Sequence, residues 1–291
     1  MNIGKLGAFV MIDPFTAAEA AALAQRIERM GYGMLWIPEA FGNPLVKASW
    51  LLAQTTTLTL GTGIANIYAR DALATLNAQN FLNEQSGGRF LLGLGVSHSP
   101  LVEGVRGHTY EKPLGAMRDY LTTMQANPYQ GPPPAEKPKT VLAALGPKML
   151  ELAAELADGA HPYNVTPGHT ARAREIMGPG KLLCPAQFVL LETDPGEARR
   201  LGRATVGRYL GFPNYCNNFK RMGFTDADMD GGPSDRLVDG IIAWGDEDAI
   251  RRRIQEHWDA GADHVAVQPL ARGGLKVAPE DEKILELLAD E

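Results

Sequence analysis

Cysteine is almost absent from this sequence: Cys184 and Cys216 are the only two in 291 residues. Two thiols so far apart build neither a disulfide framework nor a thiolate metal site, and both read as spectators. No HxH, HExxH or clustered carboxylate pattern appears, which removes the usual metal motifs. A Walker loop is missing, and "GLGVSH" lacks the third glycine of a dinucleotide turn, so a Rossmann-type nicotinamide site is unsupported. Positive charge is not in excess: 28 Lys and Arg face 34 Asp and Glu, for a net charge of −6. Nucleic acid and anionic membrane surfaces are therefore poor partners. No run is long enough to span a bilayer, and "MNIGKLGAFVMIDPF" lacks the apolar core of a signal peptide. A cytoplasmic protein is expected.

What is present is ordinary for a globular chain, with 45% hydrophobic and 21% charged residues. A single α/β barrel commonly reaches this length, so residues 1–291 are read as one domain. A junction recurs in which a helix ends at glycine and an apolar strand follows: "MGYGMLWIPEA", "SGGRFLLGLGV", "LADGAHPYNV" and "AGADHVAVQPL". Glycine at C′ accepts the left-handed backbone that closes a helix, and the apolar run suits a strand buried on both faces. The helices carry matching signals. Thr16 and Glu19 form a capping box before Leu23, Ile27 and Met30, and Pro147 opens a helix with Met149, Leu152, Ala153 and Leu156 on one face. Ile250, Ile254 and Trp258 repeat the pattern, with Arg252, Arg253 and His257 read as its solvated side.

Strands are expected near 3–11, 34–39, 57–65, 90–96, 140–145, 159–164, 183–192 and 263–268. Eight strands alternating with helices predict an α/β fold of the (β/α)8 TIM-barrel kind, with the active site at the C-terminal strand ends. Two segments break the rhythm. The proline-rich 127–139 is expected to be a surface loop, and 205–240 an insertion near the seventh and eighth units that walls a pocket or merely lengthens the barrel.

Several residues at strand ends carry chemistry. Glycine in a strand interior packs nothing, so Gly93 and Gly95 either admit a flat ligand or relieve crowding inside the barrel. Gly146 and Pro147 begin a helix whose free N–H groups favour an anion, with Lys148 beside them. "YNVTPGHT" supplies a second such turn, with Tyr163, Thr166 and His169. His98 and His161 end their strands and are candidates to donate a proton or to bind a cofactor, whereas His108 and His264 have weaker cases. Glu39 either positions substrate, shuttles a proton or is a satisfied structural carboxylate.

Taken in order and at barrel spacing, "MGYGMLWIPEAFG", "TTTLTLGTGI", "FLNEQSGGRFLLGLGVSH", "ALGPKMLELAAELADGAH" and "WGDEDAIRRRIQEHWDAGADHVAVQPL" resemble the bacterial luciferase-like superfamily, and especially its branch using the deazaflavin coenzyme F420. The resemblance covers nearly the whole chain. It implies hydride transfer between coenzyme F420 and a small organic substrate, with Glu39, His98 and His161 as catalytic candidates. It also implies a non-prolyl cis peptide at Gly63–Ile64 behind the ring, within a cofactor-binding stretch running on through Ala65 and Asn66. Gly95 would let the ring approach, Ser97 in the loop that follows would reach the cofactor's polar end, and the loops 143–149 and 163–170, with Ala144, Gly146, Pro147, Lys148, Tyr163 and Thr166, would take the cofactor phosphate. Ala40 stands where some relatives carry a catalytic histidine, which weakens any reading as a sugar-phosphate or alcohol oxidase. The alternatives are a two-component monooxygenase using flavin mononucleotide (FMN), served by a separate reductase, and a non-catalytic partner subunit. A homodimer formed through helices beside the second and third strands is expected from the same resemblance.

Overall fold

The computed structural model describes Met1 and residues 3–289. Its strands are β1 (Leu6–Phe9), β2 (Met34–Ile37), β3 (Thr59–Thr62), β4 (Ala65–Asn66), β5 (Phe90–Gly95), β6 (Thr140–Leu142), β7 (Gly159–Ala160), β8 (Leu182–Leu183), β9 (Ala186–Leu191), β10 (Ile242–Gly245) and β11 (Val265–Pro269). All ten strand pairings are parallel, as helix-connected strands require. β3 and β4 are two stretches of one stave of the barrel, and β8 and β9 two stretches of another, split at Pro185.

That seventh stave closes the ring. On one side the Cys184 and Ala186 N–H groups donate to the carbonyls of Ala160 (2.9 Å) and Pro162 (2.8 Å). On the other, Ala266 N–H donates to Pro185 O at 2.9 Å, and β11 runs in register with β9. The eight staves fall where the eight expected strands lie. β10 is additional: it pairs with the upper part of the seventh stave, from Ile242↔Phe188 to Gly245↔Leu191. The helix Asp235–Ile241 runs into it directly, because Gly240 is held inside the helix and does not break it at a positive φ.

Local signals explain most elements. The Thr16 capping box forms, with Glu19 N–H donating to Thr16 Oγ1 at 3.3 Å and Thr16 N–H to Glu19 Oε2 at 2.8 Å, and Leu23 and Ile27 are buried. Gly87 closes the helix Ala72–Ser86 at φ +67°. Gly159 does not do this. It lies inside β7, where a Cβ would overlap the Leu182 backbone of the next stave. His257 also departs from expectation: it is fully buried between Thr170 Oγ1 (2.8 Å) and Gln187 Oε1 (3.0 Å), inside the barrel wall. Residues 127–139 form no helix or strand. The stretch 205–240 contributes the helices Pro213–Arg221 and Asp235–Ile241 with short 3-10 turns, and its Phe219, Leu237 and Val238 share a small core with Phe188 and Leu190 of β9.

A carboxylate pins the helix Ala17–Arg29 to the loop before β3. Glu28 Oε1 accepts the N–H groups of Thr56 (2.8 Å), Thr57 (2.6 Å) and Leu58 (2.9 Å). Partial burial alone would raise its pKa, but these donors outweigh that and hold the carboxyl at about 2. A folded value depressed below the ordinary 4.5 gives stability that is present above pH 4.5 and lost as pH falls toward 2. Thermal melts followed by circular dichroism should show a falling Tm across that window, and Glu28→Gln should have a lower Tm at neutral pH and a shallower acid decline.

Candidate active site

A cavity of about 370 Å³ opens at the C-terminal ends of the strands. Phe9, Gly63, Ile64, Gly95, Ser97, Tyr163 and Gln268 bring the barrel's staves to it, and Tyr209, Phe212 and Tyr215 of the inserted segment roof one side. The insertion therefore walls a pocket, the first of its two expected roles.

The Gly63–Ile64 peptide is cis, as the resemblance implied, and both residues line the cavity. Gly63 has no room for a side chain: a Cβ would sit 2.6 Å from Phe9 Cε2 and 2.9 Å from His161 Nε2. The two strand glycines separate into two roles. At Gly93 a Cβ would overlap the Thr62 carbonyl oxygen, while the Thr62 hydroxyl donates to Gly93 O (2.7 Å) and accepts from Gly93 N–H (2.8 Å). Gly93 thus serves strand packing. Gly95 faces the cavity, and a Cβ there would overlap the Ile64 side chain, 2.5 Å from its Cγ1. Ala65 and Asn66 lie in β4 outside the lining, and Asn66 caps the turn that follows, accepting from Tyr68 N–H at 2.9 Å.

Glu39 lines the cavity, but its oxygens are occupied. Arg70 grips it through two N–H groups (2.7 and 3.1 Å), Arg106 adds a third at 3.2 Å, and Asn66 N–H donates at 2.7 Å. This carboxylate clamps the bulge between β3 and β4 to the loop after β2. Among the roles expected of Glu39, the arrangement fits the structural one.

The two candidate histidines both reach the cavity. His161 Nδ1 lies 2.6 Å from Cys184 O; a carbonyl only accepts, so Nδ1 carries the proton and Nε2, without a partner, keeps its lone pair. The ring stacks on Trp36 with centroids 4.1 Å apart. Burial, with a contribution from His264, holds its pKa near 4 against the pull of the Cys184 carbonyl. His161 is therefore a neutral acceptor at ordinary pH; of its two expected roles, this suits a hydrogen bond to a ligand better than proton donation. His98 stacks on Phe212 at 4.2 Å, and burial lowers its pKa too, while a hydrogen bond with Asn214 raises it. The neutral proton donors are phenols: Tyr163 and Tyr209 sit with their hydroxyls 2.9 Å apart, and burial keeps both protonated.

The expected anion site lies beside the cavity. Gly146 N-caps the helix Pro147–Leu156 with no side-chain cap, and a Cβ on it would meet Arg221 Nη1 at 3.4 Å. Pro147 and Lys148 follow, and Ala144 is buried behind them; none of these four lines the cavity, although Ala143 and Leu145 do. Thr166 caps the adjoining helix Pro167–Met177, and His169 donates to Leu145 O at 2.7 Å, tying the two helix starts together. Arg221 was not anticipated, since one basic residue on an amphipathic helix carries no signal of where it reaches. Among the described residues, no group of His, Cys, Asp or Glu is placed to hold a metal ion.

Comparison with known proteins agrees with this architecture. Residues 4–264 match the family model described as luciferase-like monooxygenase. A 5,10-methylenetetrahydromethanopterin reductase of Methanolobus tindarius is 28% identical over 97% of both chains. Among solved structures, an F420-dependent secondary alcohol dehydrogenase in complex with an F420-acetone adduct superposes at a TM-score of 0.78 with 12% identity, covering 98% of this chain and 97% of that one. The FMN-bound oxygenating constituent of 3,6-diketocamphane monooxygenase from Pseudomonas putida reaches 0.72 with 16% identity, covering 100% and 98%. At those identities the structural likenesses establish the fold. A family match over residues 4–264, on a ring of eight staves with its cavity at their C-terminal ends, makes this chain a member of the luciferase-like family.

Proposed function

We propose that the protein is an oxidoreductase that transfers hydride between coenzyme F420 and a small organic substrate. The observation that carries this is a juxtaposition. A cavity floored by Gly63, Ile64 and Gly95 lies beside the uncapped start of the helix Pro147–Leu156, with Arg221 over Gly146. A flat ring and an anionic chain need these two features side by side. The likeness to a relative of Mycobacterium tuberculosis named as a putative coenzyme F420-dependent oxidoreductase, 27% identical over 89% of this chain, supports the same cofactor class.

When bound, the deazaflavin supplies a carbon that gives or takes hydride. Ile64 and Gly95 would support the ring, while Lys148, Arg208 and Arg221, which enter no ion pair among the described residues, would hold its anionic chain. Tyr209 and Phe212 exclude water, and the Tyr163–Tyr209 pair holds a proton at the cavity wall. If nicotinamide is the ultimate source of hydride, a separate reductase provides it. Unpaired thiols suit a cytoplasmic setting.

The test is a fluorescence titration of the purified protein with coenzyme F420 and, separately, with FMN. Micromolar or tighter binding of F420 alone is expected; preference for FMN would make the protein an oxygen-using monooxygenase, and binding of neither a non-catalytic subunit. Gly146→Asp should weaken F420 binding at least tenfold, because the new carboxylate repels the anion and captures Arg221. Its backbone, at φ −96° and ψ 161°, suits an aspartate N-cap, so Tm should not fall.

We also propose a homodimer. Val46, Trp50, Leu73 and Phe81 are exposed on the helices Pro44–Gln54 and Ala72–Ser86, around a hollow lined by Asn43, Ser49 and Ala78. Val46 and Phe81 line that hollow, and exposed apolar side chains gathered on two neighbouring helices suit an interaction surface. Sedimentation equilibrium should give twice the 31.4 kDa chain mass, and Phe81→Asp should return it to the monomer.

A further inference from the structure

Two charged residues line the cavity, Glu39 and Arg208. The first is neutralised by Arg70 and Arg106, and the second is exposed on the inserted segment. The buried interior therefore offers a substrate no charge to pair with, since the unpaired Arg208 stands at the exposed edge and is assigned to the cofactor's anionic chain, and burying a charged group there would be costly. The rim is different from an ordinary protein surface. Leu101 (40% exposed) and Leu275 (42%) line the mouth, Val105 (76%) stands one turn beyond Leu101, and Phe41 (80%) follows the lining residue Ala40. Arg106, next to Val105, reaches Glu39, two residues before Phe41, so the loop after β2 and the turn after β5 adjoin. Besides the four on the proposed dimer face, these are the remaining large apolar side chains exposed among the described residues.

The cavity volume sharpens the point. About 370 Å³ is near the lower end for ligand pockets, yet it must admit both a ring edge and the reacting group of a substrate. We propose that the substrate is an uncharged molecule whose reacting group enters the cavity while an apolar body extends out over Phe41, Leu101, Val105 and Leu275. The proposal rests on the hydride-transfer reading for the reaction, and on the rim alone for binding.

Isothermal titration with straight-chain methyl ketones of four, six and eight carbons, and with carboxylates of the same lengths, tests it with and without saturating F420. Affinity for the ketones should rise about fourfold per methylene, the equivalent of ~0.8 kcal/mol. The carboxylates should bind at least tenfold more weakly than ketones of equal length. Val105→Asp and Leu275→Asp should each remove the gain at eight carbons and leave the four-carbon ketone within twofold. A flat ketone series, tighter binding of the carboxylates, or no binding of the eight-carbon ketone at millimolar concentration overturns the proposal. A chain-length slope in a protein that fails to bind F420 supports the apolar rim and rejects the hydride reading; F420 binding without the slope does the reverse.

Discussion

Gly93→Ala is expected to abolish the native fold or to cost more than about 4 kcal/mol, a large share of the roughly 5–15 kcal/mol available to a domain. The added methyl would collide with a backbone carbonyl oxygen, that of Thr62, which no rotamer change can move aside. Shifting the strand would break the reciprocal pair of hydrogen bonds between the Thr62 hydroxyl and the Gly93 backbone, both buried. Soluble yield and urea midpoint report the outcome. Gly104→Ala is the control, because nothing lies within 4 Å of its added methyl, and its midpoint should stay near wild type. Gly95→Ala belongs between them, since the obstacle there is the Ile64 side chain, which can turn. A Gly93→Ala protein as stable as wild type would mean that β3 and β5 are not held as described.

Glu39→Ala should be the next most damaging change. Its side chain is 3% exposed and that of Arg70 against it 10%, so removing the acid leaves a buried cation with only the Asn66 carbonyl (3.2 Å) to donate to, and the Asn66 N–H without its acceptor. Breaking a buried pair in this way costs about 3–5 kcal/mol, with the lower figure apt here because Arg106 still reaches solvent. Replacing both sides, as in Glu39→Leu with Arg70→Met, should cost less than Glu39→Ala alone, which a proton-shuttling role would not predict. Urea melts of the three variants give the comparison. Equal stability of Glu39→Ala and wild type would return Glu39 to the list of groups free to act on substrate.

The barrel is legible in the chain because its signals are local. Gly31, Gly87 and Gly261 take the positive φ that ends a helix, and the strands after them are continuous apolar runs. What escapes the sequence depends on who the neighbour is. Gly159 looks like the other junction glycines but answers to Leu182, and His257 looks solvated by its arginine neighbours yet turns inward to Gln187. The site divides in the same way. Gly63, Ile64, Gly95, Ser97, His98, His161 and Tyr163 lie at strand ends and could be placed on the mouth by counting. Tyr209, Phe212 and Arg221 come from an irregular segment whose path no periodicity describes. The direction of His161's lone pair depends on a carbonyl of the neighbouring stave, that of Cys184.

The change of partners along the seventh stave has a consequence for how this molecule can diversify. Below, the stave holds the ring closed; above, it gives its edge to β10, and residues 205–241 enter through that opening with Val206, Phe219, Leu237 and Val238 packed among themselves. The part that roofs the cavity also shares one apolar core with the wall, in which Phe188 and Leu190 of β9 and Leu270 after β11 pack with the inserted side chains. Substitutions at Tyr209, Phe212 and Tyr215 can therefore reshape the roof while the ring and the floor of the cavity stay as they are, so long as Arg208 and Arg221 of the same segment remain for the anion beside Gly146.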